Sequence, residues 1–153
     1  MNVKDLKVVN HSVEKVDAMA LALGKSLYVA DLKPEDCLHV KMLWSPHAHA
    51  RIKSIDVSKA EKMKGVHAVL WHGNVPRVAH CTAGQGYPEP SPYDTFMFDT
   101  KVRYVGDRVA AVCAETREIA QAAVEAIKVE YEVLEPVLSI WDALKPGAPV
   151  IHD

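Results

Sequence analysis

Cysteine is scarce in this chain and badly placed for joint work: Cys37, Cys81 and Cys113 are the only three in 153 residues. A scattered, odd-numbered set does not build a disulfide framework. No close pair of the C-x-x-C kind offers a zinc or iron–sulfur site. All three read as reduced, structural thiols, and Cys113, inside the apolar run 109–114, as a small hydrophobe. An excess of one charge is also missing, because 20 acidic side chains meet 18 basic ones for a formal net charge of −2. That balance removes the electrostatic footprint of a nucleic-acid binder or a polybasic membrane binder. No apolar run approaches the roughly 18 residues of a membrane helix, and the start Met1-Asn2-Val3-Lys4-Asp5 lacks the order of a signal peptide. Internal repeats and low-complexity tracts are absent too. The expectation is a soluble, cytoplasmic chain with no nucleic-acid and no membrane partner.

What is present is globular material, 49% hydrophobic and 25% charged. Length and composition suit one domain over 1–153 with a single hydrophobic core. Residues 1–30 form a weakly patterned N-terminal arm. Gly24-Lys25-Ser26 resembles the end of a phosphate loop, but Met19 stands where the first glycine belongs.

Leu38-His39-Val40-Lys41-Met42 alternates apolar and polar, predicting a strand with one buried face, and Ser45-Pro46 ends it. Extended structure resumes over 51–57, with Ile52 and the Ile55/Val57 pair on opposite phases. Ser58-Lys59-Ala60-Glu61 has the pattern of a capping box, Gly65 stops the short helix, and 66–71 reads as a further strand. Residues 74–100 carry Pro76, Pro88, Pro90 and Pro92 with Gly84 and Gly86, a long proline-rich loop that is no regular element. Loops of this length inside a domain are commonly functional or docked on something. Gly84-Gln85-Gly86 is no dinucleotide loop, since Glu89 replaces the third glycine and no helix follows. Gly106 marks a bulge or tight corner before a strand over 108–114. Thr116 caps a helix over 117–127 whose apolar positions share one face. Residues 128–133 alternate as a strand, and Ser139 caps a last short helix. The class that follows is α+β: a mixed sheet with two main helices and a long Pro-rich loop.

Few residues suggest chemistry. His47 and His49 point the same way in extended chain, yet no third ligand is near in sequence, so one imidazole is expected packed and the other solvated. His80-Cys81 is a poor nucleophile–base pair, because neighbours in a strand face opposite sides.

Several blocks in order carry a resemblance: Ser45-Pro46-His47-Ala48-His49-Ala50-Arg51-Ile52, then Ile55-Asp56 and Gly65-Val66, then Val102-Arg103-Tyr104-Val105-Gly106-Asp107-Arg108-Val109-Ala110, then Val129-Glu130-Tyr131-Glu132-Val133-Leu134. Together they are similar to the N-terminal α/β-hammerhead domain of the large subunits of molybdenum hydroxylases, the xanthine dehydrogenases and aldehyde oxidases. The loop over 82–94 looks more like the purine-hydroxylase branch. The resemblance implies a larger oxidoreductase in which a molybdenum–molybdopterin centre hydroxylates a purine or aldehyde, and electrons leave through iron–sulfur clusters and usually FAD. The family's cofactor-binding and catalytic residues lie downstream, so this chain is expected to carry no cofactor, no metal, no catalytic residue and no activity alone. Its implied partners are the molybdopterin-binding domain of the same subunit and the iron–sulfur and flavin domains or subunits. Its implied work is to pack on the first of these and help wall the substrate funnel through Gln85, Tyr87, Tyr93, Phe96, Met97 and Phe98. An exposed apolar patch there would mark an interface, and the competing expectation is that the loop folds back onto its own domain. A free-standing interaction or adaptor module is the alternative, and the length of the natural polypeptide separates the two.

Overall fold

The computed structural model describes residues 6–32, 34–82 and 92–152. Its internal contacts divide the chain into two compact units, Met1–Cys37 and Leu38–Asp153. The first contains a short helix, α1 (Ala18–Ala22), with no buried residue, and a 3-10 turn at Val29–Asp31. Asp31 accepts a hydrogen bond from the Tyr28 amide at 3.0 Å and so closes that turn.

The second unit runs β1 (His39–Trp44), β2 (Ala50–Asp56), α2 (Ser58–Glu61), β3 (Val66–Trp71), β4 (Lys101–Val102), β5 (Arg108–Ala114), α3 (Arg117–Ala126), β6 (Lys128–Val133) and α4 (Ile140–Ala143). The strands form two three-stranded sheets, ordered β1-β5-β3 and β4-β2-β6, and every pairing is antiparallel. The α+β expectation holds, with the strands divided between two sheets.

One helix explains the main core. Thr116 Oγ1 accepts from the Ile119 amide at 3.2 Å, satisfying an N-terminal donor of α3 that would otherwise lack a partner. Ala120 and Ala123 are fully buried on its inner face, and such small side chains let the helix lie close across β1 and β5. Beneath it Ala123, Val124 and Ile127 meet Ala110 and Val112 of β5, Val69 of β3, and Val57 at the N-cap and Ala60 within α2. A second cluster gathers Ala50, Ile52, Val102 and Val109, and Leu43, Ile55 and Val129 pack against both.

Irregular register accounts for two departures from simple alternation, and β1 adds a third of another kind. Between Ile52 and Ser54 the pairing slips against Tyr131 and Glu130, so Lys53 is an extra residue on β2. The bulge changes the phase of the strand, which lets Ile52 and Ile55 both turn inward although their sequence parity differs. Opposite Leu43 and Trp44, β5 advances from Ala110 to Arg108, and the intervening Val109 is buried in the second cluster. In β1 itself the buried phase is not the apolar one. Leu43 faces the core, and Lys41 lies beside Arg117 and Gln121 of α3, whereas Leu38, Val40 and Trp44 are exposed.

The capping box at Ser58 is replaced by a different device. Val57 occupies the N-cap and Ser58 is already helical, its amide donating to Asp56 Oδ1 at 3.0 Å. Asp56 sits two residues ahead of Ser58 and supplies the acceptor expected of Ser58, and the hydrogen bonds from Ser58 hold its carboxyl below the usual value. Gly106 is the tight corner: its φ is +89°, Asp107 N donates to Tyr104 O at 3.1 Å, and Gly106 N donates to Ser45 O at 2.8 Å.

Gly65 has φ +85°, and a Cβ there would stand 2.8 Å from Ile119 Cδ1 of α3. Gly65→Ala is therefore expected to cost about 1–2 kcal/mol from the backbone alone, read as a lower urea midpoint with unchanged slope.

Candidate functional site: the base of the proline-rich loop

The long loop is closed at its root by the chain itself. His80 and Thr95 exchange backbone hydrogen bonds, N to O at 2.9 Å and 3.2 Å, as an isolated antiparallel bridge. Gln85 and Tyr87 lie outside the described residues. The remaining expected residues are split. Phe98 is buried and Phe96 half-buried, while Tyr93 and Met97 are exposed. Phe96 lies under the Arg77 guanidinium, whose carbon is 3.6 Å from the ring centroid, a cation–π contact. The Met97 sulfur is 3.8 Å from Arg108 Nη1. The descending limb of the loop thus folds back at two aromatic rings and presents two side chains outward.

What organises this limb is an ion network that sequence reasoning missed. Asp99 and Arg103 have side chains only 7% and 8% exposed and pair at 3.0 Å through Asp99 Oδ2 and Arg103 Nη1. Arg77 grips the same carboxylate with two nitrogens, Nε to Oδ1 at 3.2 Å and Nη2 to Oδ2 at 3.4 Å, and the Thr100 amide donates to Oδ1 at 2.8 Å. Burial opposes ionisation of Asp99, but the hydrogen bonds from Arg77, Thr100 and Arg103 outweigh it and hold the carboxyl below its ordinary value. Arg103 also donates to Lys101 O at 3.1 Å and to Ile151 O at 3.2 Å, and its own amide donates to Asp107 Oδ2 at 2.9 Å. Lys101 Nζ reaches Val150 O at 3.0 Å, and His152 Nδ1 stands 3.0 Å from Asp94 Oδ2. One buried carboxylate therefore fastens the ascending limb of the loop at Arg77 to its descending limb and, through Arg103, to the segment 150–152. A signal for it existed in the sequence: an aspartate directly following the apolar Phe96-Met97-Phe98 run needs cationic partners, and Arg103 lies four residues on.

The arrangement holds the loop root in place. The cavity beside Asp99, lined by Asp94, Phe96, Arg103, Tyr104 and His152, holds about 30 Å³, room for a water or two but no substrate. His49 is packed, with Nδ1 2.7 Å from Glu135 O. His47 is not solvated as expected: it is half-buried with its ring edge-on to Tyr131 at 4.9 Å, because the strand face there is covered by that phenol. Burial in turn raises the Tyr131 pKa. Among the described residues no three His, Cys, Asp or Glu side chains come close enough to hold a metal ion. The three free cysteines do not gather into the set that an iron–sulfur cluster needs. No helix among the described residues is long and apolar enough to cross a membrane.

Comparison with known proteins follows the same lines. A family model described as "Aldehyde oxidase and xanthine dehydrogenase, a/b hammerhead domain" matches residues 23–135. The chain is 51% identical over 149 residues to the Probable hypoxanthine oxidase XdhD of Escherichia coli O157:H7, a match covering 97% of this chain and 16% of that protein. It is 34% identical to the Nicotinate dehydrogenase large molybdopterin subunit of Eubacterium barkeri, covering 97% of this chain and 34% of that one. Among solved structures, the aldehyde oxidoreductase from Desulfovibrio desulfuricans ATCC 27774 superposes with a TM-score of 0.78 at 34% identity, over 92% of this chain and 16% of that one. The chain thus spans a minor part of the length of each relative.

Asp99→Asn removes the charge and leaves Arg103 buried without its anion. It is expected to cost about 1–3 kcal/mol at pH 7. Because the folded-state carboxyl titrates below 3.8, its contribution is fully present above that pH and is lost as the pH falls through the folded value. Denaturant midpoints of the two proteins should therefore converge on acidification from pH 7 toward pH 3.

Proposed function

Because this chain belongs to the α/β-hammerhead domain family of aldehyde oxidases and xanthine dehydrogenases, we propose that residues 1–153 serve as one scaffolding domain of a molybdenum hydroxylase large subunit acting on a purine or an aldehyde in the cytoplasm. The domain packs on the molybdopterin-binding part of the same polypeptide. The limb fixed by Asp99 directs Tyr93 and Met97 toward the path by which substrate arrives. Iron–sulfur and flavin groups sit on other domains or subunits of the complete enzyme.

The observation that carries this reading is coverage. Nearly all of the chain aligns with 16% of the Probable hypoxanthine oxidase. A rigid, ion-fastened loop root suits a wall, since a wall must keep its shape while substrate passes. The free-standing adaptor gains nothing from these relatives, all of which are longer.

Purification of the native polypeptide from its host, detected by an antibody against this chain, tests the reading. The antigen should run at the relatives' length and carry molybdenum, whereas the purified 153-residue chain should carry none. A native polypeptide of this chain's length, or stoichiometric molybdenum on the short chain, would refute it.

A further inference from the structure

The helix layer covers one face of the sheet β1-β5-β3, and the opposite face is apolar and exposed along its two edge strands, with Ala111 of the central strand buried between them. The register sets two rows across it: Val40 opposite Cys113 opposite Ala68, and Met42 opposite Ala111 opposite Leu70. Trp44 prolongs the surface along β1. Val40 is 59% exposed and Trp44 53%, and Leu70 is exposed as well. Neither row contains a charged residue. At one end the surface meets Val109, which is buried in the second core cluster, so the strip begins where that core stops.

Two features make this face more than ordinary exposed carbon. The apolar/polar alternation of β1 encodes burial of its apolar phase, yet that phase is the open one, and the phase holding Lys41 lies toward α3. Two adjoining rows without charge, bordered by Arg108 opposite Trp44, also resemble the apolar centre and polar rim of a permanent interface, which is like a domain core cut in half. A free partner arriving from solution would leave such a face open before assembly, with the aggregation hazard that brings. A covalently attached partner avoids that interval. The relatives supply the needed length, since the stretch aligned with this chain is 16% of the hypoxanthine oxidase.

We propose that the open face of β1-β5-β3, centred on Val40, Met42 and Leu70, is the docking surface for a later part of the same, longer polypeptide, which covers it as a permanent second layer. The inference rests on the scaffolding reading above and adds where the contact is made. The experiment places a photo-crosslinking benzophenone amino acid at Val40, Leu70 or Tyr93, one at a time, in the full-length polypeptide. Adducts are located by mass spectrometry after irradiation of the native protein. The Val40 and Leu70 probes should bond within the chain to residues beyond 153, without a band of higher mass. Bonds to residues 1–37, to a second copy or to a separate subunit would overturn the proposal, as would no bond at either position. A Tyr93 probe that bonds beyond 153 while Val40 and Leu70 do not would remove the docking face but leave the scaffolding reading standing. Failure at all three positions would remove both.

Discussion

Close seating of α3 on the β1-β5-β3 sheet is the constraint on which the second unit depends. It is possible because Ala110, Ala114, Ala120 and Ala123 present almost nothing but backbone and methyl groups, and all four are fully buried. A helix seated this closely covers one sheet face with few side chains, and the core it makes is compact rather than large. The same economy leaves the other face bare. A single ten-residue helix with the short α2 beside it is one layer, and a three-stranded sheet has two faces to satisfy. The fold is coherent by itself on one side and incomplete on the other, as expected of a domain that matures inside a larger molecule.

The second organising element is electrostatic and buried. Asp99 with Arg77 and Arg103 costs desolvation that surface pairs avoid, and such triads are weak contributors to net stability when compared with apolar packing. Their advantage is direction. A guanidinium fork and a carboxylate fix angles as well as distances, so the descending limb of the loop is held at a set orientation. Phe96 and Phe98 turn toward the domain, and Tyr93 and Met97 turn outward.

Much of the architecture is legible in the residues alone. Five of the six strands and the helix read over 117–127 announce themselves by period, by Thr116 and by the glycines at 65 and 106, because these are local signals read over a few residues, whereas the two-residue β4 is too short to carry a period. What escapes is non-local. Lys53 looks like any solvent-facing residue of a strand, and only its pairing with β6 reveals a bulge that brings Ile52 and Ile55 to one core. Asp99 and Arg77 are 22 residues apart, and their meeting depends on the bridge between His80 and Thr95 that closes the loop. Val40 and Met42 read as core from their alternation. That inference about burial is sound for a strand, but their partner is not among the described residues, so the pattern points to an absent neighbour.

These threads meet in one claim: the chain is a scaffold whose open sheet face is completed by further polypeptide. Hydroxyl-radical footprinting of the native full-length protein tests it most directly, since Met42 and Trp44 are readily oxidised reporters on that face. The account predicts that both are oxidised at least tenfold more slowly in the native protein than in the same protein unfolded. Oxidation of both at the unfolded rate would contradict it.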